Sequence, residues 1–349
     1  RKSSPTISTS GLISIATVGA AEELATATMD VDCAYLNAKR NKNLKDVYMF
    51  LSKEMAQQLV MMDPRYAIAV RSDGRILVKL LMALYGLIES GWLWYEDMKE
   101  CLLGLGFKMS QHDPCIFMKQ DITVGLYVDD LFVTAKEFRL IEELHINLIK
   151  RYGGVKLNEG PTLNFLGMNF DFGSDKKVRI SIDIKDIVKG IDKSHTSPAG
   201  LNLFATRDDL PSVDGFEREK FHSTVAKLLY IAKRTRGDIL LPVNYLCSRV
   251  LCPNQDDLVK LERILRYLNA TKDMVLELTM LTNEDDSVDL NFYVDASYAT
   301  HSDMKSHSGV SASIGSGSLY VASTKQKCMS KSSTEAELIA VTDYIGEAL

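Results

Sequence analysis

Val124-Gly125-Leu126-Tyr127-Val128-Asp129-Asp130-Leu131-Phe132-Val133 is an apolar run broken near its centre by two adjacent acids. Apolar residues on both sides, with a bend between them, predict two strands of a tight hairpin. Asp is a favoured turn residue, so an ordinary surface turn also accounts for the pair. Ionised carboxylates side by side in a half-buried hairpin repel each other and resist desolvation, however, and they persist most easily where a divalent cation neutralises them. A second segment adds weight, because Met29-Asp30-Val31-Asp32-Cys33-Ala34-Tyr35-Leu36 also reads as a strand with acids projecting from it. Acids on two such strands point to a metal site.

The rest of the chain reads as globular. Its 349 residues suffice for two or three domains, and a hydrophobic content of 46% supports real cores. No apolar stretch approaches the roughly 20 residues needed to span a bilayer. Residues 11–18 could imitate a signal sequence after Arg1-Lys2, but the helical spacing continues to Leu24 and predicts a core helix. Six cysteines, at 33, 101, 115, 247, 252 and 328, show no paired ligand spacing, which implies no zinc site and fits a reduced intracellular chain. The first residue is Arg and the last falls within a predicted helix, so a fragment is expected. A net charge of −5 is low for a nucleic-acid binder, so any such contact must be local. Lys227, Lys233, Arg234 and Arg236 form one basic cluster and Lys260, Arg263, Arg266 and Lys272 another; solvated helix faces explain each equally well.

Periodicity predicts helices at 94–105, 140–152, 221–233, 240–250, 256–268 and 333–349. Alternation predicts paired strands at 165–172 and 178–184, and three further strands at 290–297, 309–314 and 318–322. Residues 194–214 read as a surface linker and 283–289 as an acidic, turn-rich boundary. On the helix at 256–268, Lys260, Arg263 and Arg266 recur every three residues, a spacing that suits phosphate contact.

Taken with Tyr127-Val128-Asp129-Asp130 and Asp30-Val31-Asp32-Cys33-Ala34-Tyr35, further blocks give the chain a specific likeness. They are Ala83-Leu84-Tyr85-Gly86-Leu87 followed by Leu93-Trp94-Tyr95, Gly106-Phe107 with His112-Asp113-Pro114-Cys115-Ile116-Phe117, Leu163-Asn164-Phe165-Leu166-Gly167-Met168, and Arg263-Ile264-Leu265-Arg266-Tyr267-Leu268. In this order they resemble the reverse transcriptases of Ty1/copia-type retrotransposons, and Val294-Asp295-Ala296-Ser297 and Ser332-Ser333-Thr334-Glu335-Ala336-Glu337 resemble the start of the attached ribonuclease H domain.

The resemblance implies an α+β right-hand polymerase followed by a truncated α/β ribonuclease H-like domain. Palm and partial fingers would occupy residues 1–193, a linker with helical thumb and connection 194–282, and the ribonuclease H-like part 283–349. It implies an RNA-directed DNA polymerase acting through two Mg2+ ions about 4 Å apart, with Mn2+ as a substitute. Asp30 and Asp129 would bridge the ions, Asp130 would complete the primer-side site, and the carbonyl of Val31 would ligate the nucleotide-side ion. Asp32 has no counterpart role. Tyr35 would exclude a 2′-hydroxyl, Tyr85 and Gly86 would line the nucleotide pocket, and Phe165, Leu166 and Gly167 would form the primer grip. Each aromatic also fits a plain packing role.

The implied partners are RNA template, DNA primer, RNA–DNA hybrid, dNTPs and other segments of the polyprotein, with no membrane. The implied setting is cytoplasmic virus-like particles with a nuclear phase. Some features depart from the family. Ile88, Glu89 and Gly91 stand where many relatives carry Lys, Gln and Pro, and the loop around Lys39-Arg40-Asn41-Lys42-Asn43 is long. The family's basic strand pair that grips the triphosphate would precede Arg1. Asp295 and Glu337 match the first two ribonuclease H acids and would hold its metal; the third and fourth would follow Leu349, so nuclease activity is expected to be absent. Two alternatives stay open: a decayed copy that only binds nucleic acid or polyprotein partners, and a palm-like nucleotide cyclase.

Overall fold

The computed structural model describes residues 4–40, 45–191, 194–207 and 209–348; Asn41, Lys42 and Asn43 of the basic loop lie outside the described residues. In chain order the first elements are α1 (Thr9–Ala21), β1 (Ala25–Val31), α2 (Ala34–Asn37), β2 (Tyr48–Leu51), α3 (Lys53–Met62), β3 (Ile76–Lys79), α4 (Ser90–Gly104), β4 (Lys108–Met109), β5 (Ile116–Lys119), β6 (Ile122–Tyr127), β7 (Asp130–Ala135), α5 (Phe138–Tyr152) and β8 (Val155–Glu159). They are followed by β9 (Thr162–Phe165), β10 (Met168–Phe172), β11 (Val178–Ser181), α6 (Gly215–Ala232), α7 (Leu240–Arg249), α8 (Gln255–Ala270), β12 (Leu276–Leu278), β13 (Asn291–Ser297), β14 (His307–Ser313), β15 (Tyr320–Lys325) and α9 (Ser333–Ala348). The architecture is mixed α and β with four sheets among the described residues.

The chain packs as two units, Arg1–Ser8 with Thr28–Asn158, and Thr9–Ala27 with Glu159–Leu349. This division falls at 158/159, within the stretch expected to run to 193, and the expected boundary at 282/283 lies inside the second unit. The first unit is built on a six-stranded sheet in the order β4-β5-β6-β7-β1-β8. Its central strands are covered on both faces: Val124, Leu126, Leu131, Phe132 and Val133 are all fully buried, which is why they read as an unbroken apolar run. The amphipathic α5 packs against β7 through Ile141, Leu144 and Leu148, while α4 buries Trp94, Met98 and Leu102. A separate β2–β3 pair carries α3.

In the second unit β12-β11-β10-β9 form a four-stranded sheet, and α6, α7 and α8 enclose a core of Phe221, Val225, Leu228, Val243, Leu246, Ile264 and Leu268. Asn254 begins α8 with a capping box: its side chain accepts from the Asp256 and Asp257 amides, and Asp257 accepts from the Asn254 amide in return. The three-stranded β13-β14-β15 sheet has α9 on one face, fixed by Thr324 to the Tyr344 hydroxyl and by Gln326 to Ser308 and the Ala336 carbonyl. Val321, on the other face, joins the helical core. Among its described residues the 194–214 segment forms no helix or strand beyond a bridge from Ser212 to Asn254, and it buries Leu203 and Val213.

Candidate active site

Register decides the geometry of the acid corner. Tyr127 pairs with Asp130, so Val128-Asp129 is a two-residue turn. Val128 takes φ +55°, an uncommon conformation for a β-branched residue that persists only when its surroundings hold it. Both turn carbonyls are held. The indole Nε1 of Trp94 donates to the Val128 carbonyl at 2.6 Å, and the amide of Val31 donates to the Asp129 carbonyl at 3.1 Å. The second bond brings the β1 end, and Asp30 with it, to the hairpin tip.

Strand β1 stops at Val31. The expected strand to Leu36 is broken because Asp32 and Cys33 turn the chain, Cys33 at φ +54°, and Ala34–Asn37 then forms one helical turn. Within the strand Met29 and Val31 point into the core, leaving Asp30 on the half-buried opposite side. Asp130, like Asp30 and Asp129, is partly buried. Burial, then the negative charges of Asp129 and Asp30, push its carboxyl up to about 6. Lys156 on β8 supplies a cation that the sequence reading missed: its Nζ lies 2.7 Å from Asp32 Oδ1 and 3.3 Å from Asp30 Oδ2. Those carboxylates hold the ammonium above its ordinary pKa. Asp32, without a role by resemblance, is thus the closer partner of this lysine. Alternation along Val155-Lys156-Leu157 was the only signal for Lys156, and it says nothing about which strand lies alongside. Among the described residues no three His, Cys, Asp or Glu side chains close into a metal-ligating group. The acids share a corner but do not form a finished ligand shell.

Two tyrosines face the same charge. The rings of Tyr35 and Tyr85 lie 4.7 Å apart at 37°, and burial followed by the charge of Asp129 raises both hydroxyl pKa values. Gly86 has φ +93°, a conformation suited to glycine. A Cβ at Gly91 would come 3.2 Å from the Ser4 side chain, a tight approach, and 3.7 Å from the Tyr35 hydroxyl, an ordinary contact. Ile88 is exposed, whereas Glu89 pairs with the well-buried Arg40 at 2.6 Å.

The other expected site residues lie in the second unit. Phe165 is buried, while Leu166 and Gly167 form the two-residue turn of the β9–β10 hairpin, so 165–172 is not one strand. The three cations of α8 do not form an open phosphate track. Lys260 pairs with Asp256 and donates to the Ala205 carbonyl, Arg263 donates to the Ser197 carbonyl, and Arg266 pairs with Glu262. Asp295, cross-strand from Gly309, lies on the sheet face opposite the one α9 covers, since Ser308 and Thr324 of the α9 face alternate with Gly309 and Ser323. Glu337 belongs to α9, so the two acids expected to share a metal come from different layers.

The family described as reverse transcriptase (RNA-dependent DNA polymerase) matches residues 1–193. Among curated proteins the chain is 25% identical over 291 residues to the truncated transposon Ty1-A Gag-Pol polyprotein of Saccharomyces cerevisiae, covering 77% of this chain and 24% of that protein. It is 25% identical to the transposon Ty1-GR2 Gag-Pol polyprotein and 26% identical to the Ty1-NL2 one from the same yeast, in each case over 77% of this chain and 16% of the relative. The chain therefore spans about a quarter or less of the polyproteins it matches. Among the described residues no helix is long and apolar enough to cross a membrane. With the family match covering more than half of its residues, the chain belongs to the reverse transcriptase family, as a segment of Ty1/copia type.

Proposed function

We propose that the chain is an RNA-directed DNA polymerase that extends a primer 3′-hydroxyl on an RNA template by two-metal nucleotidyl transfer. One observation carries this reading: the Val31 amide bonded to the Asp129 carbonyl joins Asp30 to the Asp129-Asp130 tip, where Asp130 is left with uncompensated charge. The donors are hard oxygens, the type that suits Mg2+ or Mn2+. Asp30, Asp129, Asp130 and the Val31 carbonyl would hold the ions, which when bound lower the cost of deprotonating the primer hydroxyl and of charge on the phosphate. Tyr35 and Tyr85, tilted against each other beside Asp129, would form the wall against which the sugar packs, with Tyr35 excluding a 2′-hydroxyl. Phe165, Leu166 and Gly167 would hold the primer backbone from a rigid turn.

The partners on this reading are RNA template, DNA primer, the hybrid they form, dNTPs and other segments of the polyprotein, in virus-like particles with a nuclear phase. Ribonuclease H chemistry is not part of the proposal.

The test is extension of a DNA primer on an RNA template with dNTPs and Mg2+. Wild type should extend, and Asp129→Asn should fall by at least about a thousandfold, as expected when a metal-bridging carboxylate is lost. Equal behaviour of the two proteins overturns the reading. A second reading, a copy that binds primed template without catalysis, is favoured by Lys156 seated on Asp30. It predicts binding without extension in both proteins.

A further inference from the structure

The tip of the β9–β10 hairpin is held from outside the sheet. Leu166 and Gly167 have φ +50° and +71°, the pattern of a two-residue turn with both central residues left-handed. The Tyr230 hydroxyl, on α6, donates to the Leu166 carbonyl at 2.5 Å. The fit is close. A Cβ at Gly167 would come 2.9 Å from that hydroxyl, so glycine is needed both for the backbone angle and for the approach of Tyr230.

The ring is itself held. The Arg234 guanidinium, in the turn just past the end of α6, lies 3.8 Å from the Tyr230 ring centroid, and Arg234 Nη1 reaches the Tyr230 carbonyl at 3.4 Å. Arg234 Nε is buried without a hydrogen-bond partner, so stacking on the ring is a principal contact of this side chain. Arg236, close by in the same basic cluster, is committed elsewhere, to Asp238 and Thr271.

We propose that Tyr230 is a positioning residue for the primer strand: its hydroxyl fixes the Leu166-Gly167 turn, and Arg234 fixes the ring that carries the hydroxyl. This rests on the polymerase reading only for what the turn touches. The latch is a property of the chain itself. A free two-residue tip can tilt about its hairpin; one bonded to a helix presents its backbone to the primer at a single angle. The effect should therefore appear in how well the protein distinguishes a primed from an unprimed template.

Tyr230→Phe keeps the ring and its stacking on Arg234 while removing the donor. Two readouts apply, neither needing turnover. Hydrogen exchange of the 166–168 amides should quicken about fivefold, the net worth of one hydrogen bond, with the melting temperature lowered by no more than about 4 °C. In fluorescence anisotropy with labelled primed and unprimed RNA template in Ca2+, the affinity ratio of primed to unprimed should fall about fivefold. Unchanged exchange at the turn, or an unchanged affinity ratio, overturns the proposal. The polymerase reading fails separately, on the Asp129→Asn extension test.

Discussion

The indole Nε1 of Trp94 donates to the carbonyl of Val128 at 2.6 Å, tying the second turn of α4 to the bend that carries Asp129. Trp94 is fully buried and its ring meets Tyr152 edge-on at 5.1 Å, so the donor is fixed by packing rather than by the bond alone. The bond satisfies a carbonyl belonging to a residue in a strained backbone conformation.

Trp94→Phe keeps much of the ring volume but orphans that carbonyl. A loss of about 2 to 3 kcal/mol in urea denaturation is expected, from the unmet acceptor and the smaller ring together. Primer extension should fall more than stability alone explains, because the Val128-Asp129 bend is freed. Unaltered extension in a folded variant would show that the bend needs no brace.

Glu89→Ala should be costly although Glu89 is partly exposed, because Arg40 is not and would lose its carboxylate. The expected loss is about 2 kcal/mol, below the usual figure for a fully buried pair. Glu89→Gln keeps an acceptor for Arg40 Nη1 and should recover about half of the stability lost. Chemical denaturation of the two variants side by side gives the comparison.

His307 predicts an acid-sensitive second unit. Burial first, then the neighbouring His301, holds its pKa down to about 4, and it hydrogen-bonds Ser323 Oγ at 2.7 Å and His301 at 3.0 Å. His301 is held low by burial and by Lys325, with Asp303 opposing. A histidine depressed on folding contributes stability that is complete above its unfolded value near 6.5 and is lost as the pH falls toward 4. Across that window about 3 kcal/mol should disappear from the unfolding free energy. His307→Gln should remove most of the slope; a slope that persists in full would assign it to other groups.

Asn254→Ala should remove about 1 to 2 kcal/mol by opening the capping box of α8, while Asn254→Asp, which restores an acceptor for the Asp256 and Asp257 amides, should cost less. Thermal unfolding compares the two.

Much of this molecule could be read from the chain alone where burial is one-sided or complete. The hairpin around Asp129, α4, α5, α8 and the three strands at the C-terminal end all follow their apolar periodicity. Reading failed where a backbone angle or a distant partner decides. Nothing in Asp32-Cys33 announces that Cys33 turns left-handed and ends the strand, and the apolar Phe165-Leu166 hides the turn that Gly167 closes. Lys260, Arg263 and Arg266 recur on one helix face as a phosphate track would, yet their partners come from the 194–207 segment and from α8 itself. Asp295 was matched by motif, and only the register of β13 with β14 shows which side of the sheet it takes.

A bend of two residues leaves no slack. Side chains alternate across a strand, so losing or gaining a single residue between Tyr127 and Asp130 would send everything downstream on that limb to the other face, driving an acid inward and an aliphatic outward. Longer surface segments such as 194–207 absorb such length changes at small cost. A one-residue change in such a segment would thus leave the fold standing, whereas the same change at this bend would scramble the acid corner.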